Sequence, residues 1–394
     1  MGVIHLGDEL FDESTGEFFF LEVNTRLQVE HPVTELVTGV DLVREQIRIA
    51  FGEPLAYSQA DIAFTGSAIE ARLYAEDPDN SFFPASGQIL AFDPPSEPAV
   101  RWDSGFDGTS RVGTDFDPML AKVISHAPTR REAARKLANA LSRTHLGGPV
   151  TNRNYLVSIL QSEAFVDGDT TTDFVTRVAL AAQTDIDPAE LSLLGKLAAI
   201  WIERGNRQAA TVLRFAPSGW RNTRMPDQRL DLSFHDTELA LAYHVTRDGH
   251  YRFADGATAT LHGWSEGEID AEIDGLRRRA RITRAGDRIL VSATLGDVLF
   301  DILPRFREPS RDAQGDGFVS PMPGRVVSIH REVGDEVAAG DVLMVLEAMK
   351  MQHSITATYD GVVRELRVAA DDQVDVGTLL IVVEAPEDAQ SEAG

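Results

Sequence analysis

Residues Phe318 to Glu384 write one pattern twice, offset by 37 residues. Gly324 recurs as Gly361, Val326 as Val363, Ile329 as Leu366, Asp335 as Asp372, Val337 as Val374, Gly340 as Gly377, Leu343 as Leu380 and Glu347 as Glu384. Each copy reads as a short alternating strand, an acidic turn, a glycine turn and an apolar strand. One such half cannot bury a face alone, so the two are expected to pack as a flattened pseudo-twofold β-sandwich. Between the copies stands Glu347-Ala348-Met349-Lys350-Met351, where a hairpin must turn, and Lys350 is the one lysine of the repeat. A lysine at a turn tip is ordinarily a solvated surface residue. Here it is flanked by two thioethers, which core packing explains poorly at a tip and which suit the docking of an attaching enzyme. A flexible stem of this kind is what a covalent carrier needs, because a tethered group holds a high effective concentration at two separate sites.

Ala348-Met349-Lys350-Met351 resembles the biotinyl-attachment motif of biotin carboxyl carrier domains, and Pro321-Met322-Pro323-Gly324 resembles their opening strand. The lipoyl domains of 2-oxo-acid dehydrogenases are similar in fold, but their lysine typically follows Asp, so the Met pair favours biotin over lipoate. The resemblance implies biotin joined covalently to Lys350 by a biotin protein ligase, with Met349 and Met351 beside it.

Near the N-terminus, Glu22 and Asn24 stand two residues apart, the spacing of one strand face. Their carboxylate and amide oxygens are hard donors that suit Mg²⁺ beside nucleotide phosphates. Arg26 and Gln28 continue the spacing; a guanidinium can hold bicarbonate through two hydrogen bonds, and Glu30 can act as a general base. The whole stretch Phe18 to Gly39, FFFLEVNTRLQVEHPVTELVTG, resembles the catalytic segment of biotin carboxylase, an ATP-grasp enzyme. The resemblance implies that Glu22 and Asn24 bind Mg²⁺ or Mn²⁺, Glu22 also contacting ATP. Arg26 would be catalytic and would hold bicarbonate with Gln28 and the backbone of Val29. Glu30 would deprotonate bicarbonate for attack on the γ-phosphate. Val100-Arg101-Trp102 resembles the segment whose arginine stabilises the biotin enolate, which gives that role to Arg101. Ala68 to Pro78 and Asp117 to Lys122 resemble further parts of the same region. The Gly-rich phosphate loop, adenine contacts and ATP-binding lysine of that family have no counterpart before Phe18. The second metal carboxylate would fall near Asp8 or Glu9. The chain is therefore expected to be a partial subunit that does not turn over ATP by itself.

The middle opens on a helix signal: Asp187 as N-cap, Pro188 in the first turn, Leu191, Leu194, Ala198, Trp201 and Ile202 on one face, and Gly205 as the stop. Runs such as Thr211 to Phe215, Leu239 to Val245 and Arg288 to Ala293 follow, which together predict one helix with a mostly antiparallel sheet or barrel. This is the place of the linking domain in acyl-CoA carboxylase α-subunits, which resembles a helix held by an antiparallel barrel and docks the carboxyltransferase β-subunit. Ala216 to Asn222 resembles a stretch of α-subunits of the methylcrotonyl- and propionyl-CoA type; Trp220 within it suits a barrel core as well as a partner contact. His244, His250 and His262 lack ligand spacing.

These readings give an α+β multidomain chain. Residues 1–60 are the end of an ATP-grasp domain, 61–180 the carboxylase C-terminal domain, 185–305 the linking domain, 306–317 a linker, 318–385 the biotinyl domain and 386–394 a disordered tail. Charge limits the partners. The chain holds 37 Lys and Arg against 62 Asp and Glu, a net of −25, which disfavours nucleic acid and anionic membrane surfaces. It has no cysteine, so disulfides and thiolate chemistry are excluded. No apolar run reaches the length of a membrane span, and no secretory signal is evident, so the cytoplasm is the expected compartment. The function implied is a biotin-carrying subunit of an acyl-CoA carboxylase in a hetero-oligomer, delivering a carboxyl group from ATP and bicarbonate to an acyl-CoA on the partner. The alternatives are a carrier and scaffold module, or a lipoyl-bearing acyltransferase component. A pyruvate carboxylase is disfavoured, since no carboxyltransferase domain lies between the carboxylase and biotinyl regions.

Overall fold

The computed structural model describes residues 7–12, 14–114, 116–178, 186–212, 226–235, 237–294, 296–305, 317–348 and 351–384, with backbone only at 7–10 and 351. A hairpin comes first, β1 (Gly7–Asp12) against β2 (Glu17–Val23). Its turn is tied by Asp12 Oδ1, which accepts from the Ser14 N–H at 2.8 Å, and by Gly16 at a left-handed φ of 74°. A loop leads to α1 (His31–Thr38), which has Pro32 in its first turn, and then to α2 (Leu42–Ala50), whose N-cap Asp41 accepts from the Arg44 N–H at 2.9 Å. Val43, Ile47 and Phe51 keep helical spacing yet are exposed, and the buried residue of α2 is Glu45.

The next unit is built on β3 (Ser67–Tyr74), β4 (Glu76–Asp77), β5 (Phe83–Pro84), β6 (Gly87–Gln88), β7 (Ala91–Asp93), β8 (Arg101–Ser104), β9 (Arg111–Val112) and β10 (Met119–Ala127). Strand β10 lies between β3 and β8, antiparallel to both. Helix α3 (Arg130–Ser142) is capped by Thr129, which accepts from the Glu132 N–H at 3.2 Å. It buries Ala133, Ala134, Leu137 and Leu141 against Ile69, Ala71 and Val123 of the sheet. Each leucine contributes about 1.5–3 kcal/mol by leaving water. The short strand β11 (His145–Gly147) and α4 (Arg153–Gln161) follow.

Helix α5 (Pro188–Ala209) starts as its sequence demands: the Asp187 carboxylate accepts from the Ala189 N–H at 2.7 Å. It does not stop at Gly205. The helix continues four residues further, and Gly205 is small because the Trp264 ring passes over it, 3.3 Å from where a Cβ would stand. Eight antiparallel strands between Gln228 and Ile302 close into a barrel around this helix, with Leu194, Leu197 and Ile200 packed on Leu232, Ile269 and Phe300. Inside, the Tyr251 hydroxyl donates to Glu203 at 2.6 Å, which satisfies a buried carboxylate. Thr211 and Val212 are not strand; residues 213–215, the rest of that run, and the separate stretch Ala216 to Asn222 with Trp220 lie outside the described residues. So do most of the linker and the tail.

The barrel is fastened to the preceding unit. His145 on β11 is buried between two barrel hydroxyls, Ser292 Oγ at 2.6 Å and Thr283 Oγ1 at 2.9 Å. Arg153 pairs with Asp297 and Arg281 with Asp93, each at 2.5 Å.

The final unit is the twofold sandwich. Two four-stranded sheets exchange equivalent strands from the two copies of the repeat. Gly324–Ile329 matches Gly361–Leu366, and Val342–Ala348 matches Leu379–Glu384. Asp335 accepts from the Glu332 N–H at 2.8 Å, and its repeat partner Asp372 accepts from the Ala369 N–H at 2.7 Å. The glycines recur for one reason: a Cβ on Gly324 would stand 2.7 Å from the Glu347 carbonyl oxygen, and one on Gly361 would meet the Glu384 carbonyl oxygen at 2.5 Å.

Candidate functional site

Register across three strands builds the site. Lys122 on β10 lies opposite Arg72 on β3 and Asp103 on β8; two residues along, Ile124 lies opposite Glu70 and Arg101. Residues opposite one another, or two apart, share a sheet face. Arg72, Lys122 and Arg101 are thus set on one face, which turns toward α1 and the loop 24–30, while Ile69, Ala71 and Val123 on the other face enter the core.

The cations grip the loop. Arg72 Nη2 donates to Glu30 Oε2 at 2.7 Å. Lys122 Nζ donates to the Val29 carbonyl at 3.2 Å and lies 3.5 Å from Asp103. The buried His31 ring donates from Nδ1 to the Gln28 carbonyl at 2.8 Å. These two bonds hold the peptide planes on both sides of the Val29 Cα. Since each peptide is planar and trans, fixing the Gln28 carbonyl also fixes the direction of the Val29 N–H. Arg101 is gripped by Asp103 through two bonds of 2.9 Å and by Glu35 of α1 at 2.9 Å. These carboxylates raise its pKa, so it stays charged. Burial works against the Asp103 carboxylate, but Arg101 and Lys122 outweigh it and hold its pKa down.

Glu70 is the strained member. Its side chain is 5% exposed, its nearest cation atom, Arg72 Nε, is 3.7 Å away, and neither carboxylate oxygen has a hydrogen-bond partner. Burial pushes its pKa up, against the pull of Lys122 and Arg72.

The other sequence candidates lie on the hairpin and loop. Glu22 is exposed near the end of β2, and the hairpin register sets Asp8 directly opposite it and Glu9 opposite Phe20. The strand ends at Val23, so Asn24, Arg26 and Gln28 belong to a loop, and the alternation of a strand does not carry through them. Arg26 Nη2 donates to Asn24 Oδ1 at 3.4 Å. Among the described residues no three His, Asp or Glu side chains gather into a metal cage. A cleft of about 530 Å³ beside Arg101 is lined by Glu35, Asp41, Val43, Arg44, Ile47 and Arg48. A larger one, about 1300 Å³, lies at the barrel junction, away from these groups. At the far end of the chain, Ala348 pairs with Met351 across a hairpin. The two residues that join them, Met349 and Lys350, lie outside the described residues, as does the Met351 side chain.

Arg72, Lys122, Glu70, Asp103, Glu35 and His31 were not singled out from sequence. Glu70 and Arg72 alternate on a strand, which is a signal, but their meeting with Lys122 depends on a strand about fifty residues away.

Four families match the chain in order. Residues 8–58 match "Carbamoyl-phosphate synthase L chain, ATP binding domain", 70–177 "Biotin carboxylase C-terminal domain", 191–302 "Methylcrotonyl-CoA carboxylase, alpha-subunit, BT domain" and 316–383 "Biotin-requiring enzyme". This succession defines a biotin-dependent carboxylase chain with a partial ATP-grasp region. The mitochondrial methylcrotonoyl-CoA carboxylase subunit alpha of Mus musculus is 32% identical over 91% of this chain and 52% of its own length. The mitochondrial propionyl-CoA carboxylase alpha chain of Homo sapiens is 34% identical over 95% of this chain and 54% of its own. The chain belongs to the α-subunit family of biotin-dependent acyl-CoA carboxylases, as a biotin carboxylase and biotinyl carrier module. It spans about half the length of these relatives. Among solved structures, the biotin carboxylase domain of Hydrogenobacter thermophilus 2-oxoglutarate carboxylase, in complex with MgADP and bicarbonate, is 39% identical over 43% of this chain and 37% of that chain, with a TM-score of 0.42. No helix among the described residues is long and apolar enough to cross a membrane.

Proposed function

We propose that this chain carries biotin on Lys350 and passes a carboxyl group, derived from bicarbonate, to a carboxyltransferase β-subunit that holds an acyl-CoA. The observation that carries this reading is the hairpin whose paired residues Ala348 and Met351 leave Met349 and Lys350 at the joint of a twofold sandwich, in the same chain as a cationic carboxylase face. The units fall at residues 1–60, 61–180, 185–305 and 318–385.

Biotin, when joined to Lys350, supplies the ureido nitrogen that accepts the carboxyl group. The rest is work for this chain's side chains. Arg26 and Gln28, with the Val29 N–H, bind bicarbonate, and His31 and Lys122 keep that N–H aimed. Glu30 takes the bicarbonate proton, and the hydrogen bond it accepts from Arg72 Nη2 orients its carboxylate for that transfer. Arg101, fixed by Asp103 and Glu35, presents a permanent positive charge where negative charge develops on the ureido oxygen. Glu22 and Asn24, with Asp8 opposite Glu22 in the register, offer the oxygen donors that Mg²⁺ or Mn²⁺ accepts, and Glu22 also meets ATP. Met349 and Met351 flank the attachment point in sequence and are the apolar neighbours a biotin protein ligase reads.

The transfer half is testable without ATP. The biotinylated chain, mixed with a propionyl- or methylcrotonyl-type carboxyltransferase β-subunit and a carboxylated acyl-CoA radiolabelled in the transferable carboxyl, should take up label onto the protein. Lys350→Arg should take up none. Equal labelling of the two, or no labelling of either, would defeat the proposal.

A further inference from the structure

The carrier sandwich is seated on the carboxylase unit, and one side chain makes the seat. After β4 the chain turns a corner at Ser81 and Phe82, both left-handed at φ 51° and 58°. Residues with a Cβ hold that conformation only where their surroundings enforce it. The Phe82 ring stands edge-on to Tyr155 of α4, with centroids 5.1 Å apart, and pins the corner. The next residue, Phe83, is held in β5 by pairing with Asp77 of β4. Its ring meets the ring of His353 edge-to-face, with centroids 4.4 Å apart and planes at 71°, and packs on the apolar core of the carrier. His353 lies two residues beyond Met351, on the strand that leaves the Lys350 turn. Burial in this contact draws its pKa below the ordinary histidine range. A second contact is independent of the rings: Gln373 Nε2 of the carrier donates to Thr114 Oγ1 at 3.3 Å.

We propose that Phe83, presented by the left-handed Ser81–Phe82 corner, is the docking seat for this chain's own biotinyl domain. The biotin on Lys350 rests on the reading above; the seat does not, since its contacts are made by the folded sandwich. The seat also has a location that matters. Phe83 pairs with Asp77, five residues beyond Arg72 of β3, so the seat opposes a residue at most about 17 Å along the chain from Arg72 at ~3.3 Å per residue. A carrier docked on Phe83 is therefore held beside the Arg72–Lys122–Arg101 face rather than left to search for it, which raises its local concentration there. An edge-to-face ring pair needs no charge, so the acidity of the carrier, 5 Lys and Arg against 15 Asp and Glu from Asp316 to Gly394, does not oppose it.

The absence of cysteine makes the test clean, because any thiol is one put there. In the full-length chain, Thr114→Cys with Gln373→Cys reports the docked state through a short bis-maleimide. This pair should cross-link within one chain at least ~10-fold faster than a control pair, Thr114→Cys with Arg364→Cys. Adding Phe83→Ala should slow the reporter cross-link at least ~5-fold, while circular dichroism shows both units still folded. Equal rates in reporter and control pairs, cross-links only between chains, or a reporter rate unmoved by Phe83→Ala would each overturn the proposal. Intact mass of the same samples reads biotin on Lys350 separately, so a failure of the seat and a failure of the biotin assignment are told apart.

Discussion

At the scale of residues, the site is not arranged for stability. The Arg72–Glu30 pair is 42% and 50% exposed on its two side chains, and a pair so wet is worth only about 0–1 kcal/mol. Its value is positional, in fixing where the Glu30 carboxylate stands. Glu70 costs stability outright, since a buried carboxylate without hydrogen bonds is penalised whenever it is charged. Its folded pKa lies above the unfolded value, so between the two the folded state binds more protons than the unfolded one. The sign follows: this contribution is present at low pH and is lost as pH rises from about 4.5 through the folded pKa. Glu70→Gln has no such proton to lose. Urea denaturation across pH 4.5 to 7.5 should show the variant gaining on the native chain as pH rises. Parallel curves would mean that Glu70 is not a buried acid short of hydrogen bonds. The individual roles of these members were hard to foresee for a plain reason. Glu70, Arg72 and Lys122 stand in runs that resemble the family, Ala68 to Pro78 and Asp117 to Lys122, but which side chains of those runs meet is settled only when β10 pairs with β3 and β8.

At the scale of elements, local signals fixed starts better than stops. Asp41, Thr129 and Asp187 each cap the helix they precede, because a cap is a bond within a few residues. Gly205 misleads as a stop, since its smallness answers to Trp264, 59 residues away. Val43, Ile47 and Phe51 have the spacing of a buried face and none of the burial. Strand β11 shows what an element gains from a distant neighbour. Its His145 is locked between Ser292 and Thr283, with Arg281, Arg153, Asp297 and Asp93 around it. Burial first, then Arg281, brings its pKa down to about 4. The unfolded chain, with histidine near ~6.5, binds more protons below that pH, so the stability owed to neutral His145 is full above about 6.5 and is lost as pH falls toward 4. Melting temperatures taken from pH 7.5 to 5 should fall more steeply for the native chain than for His145→Gln, which keeps the hydroxyl contacts and does not titrate. Equal slopes would remove His145 from the fastening of the barrel.

At the scale of the whole molecule, the order of units was legible because two of them carry dense, local signatures: the repeat around Lys350 and the run from Phe18 to Gly39. The barrel was legible only as alternation, since its closure depends on the first and last strands meeting, Leu232 against Ile302. The seat on Phe83 could not be read at all, because it joins residues 270 positions apart. A carrier role for this chain requires one chemical fact about one amine. Produced in cells with an active biotin ligase and measured intact, the chain should gain a single biotinyl adduct, located by peptide fragmentation at Lys350 and absent from Lys350→Arg. A chain that stays unmodified, takes a lipoyl group instead, or carries biotin on another lysine would contradict it.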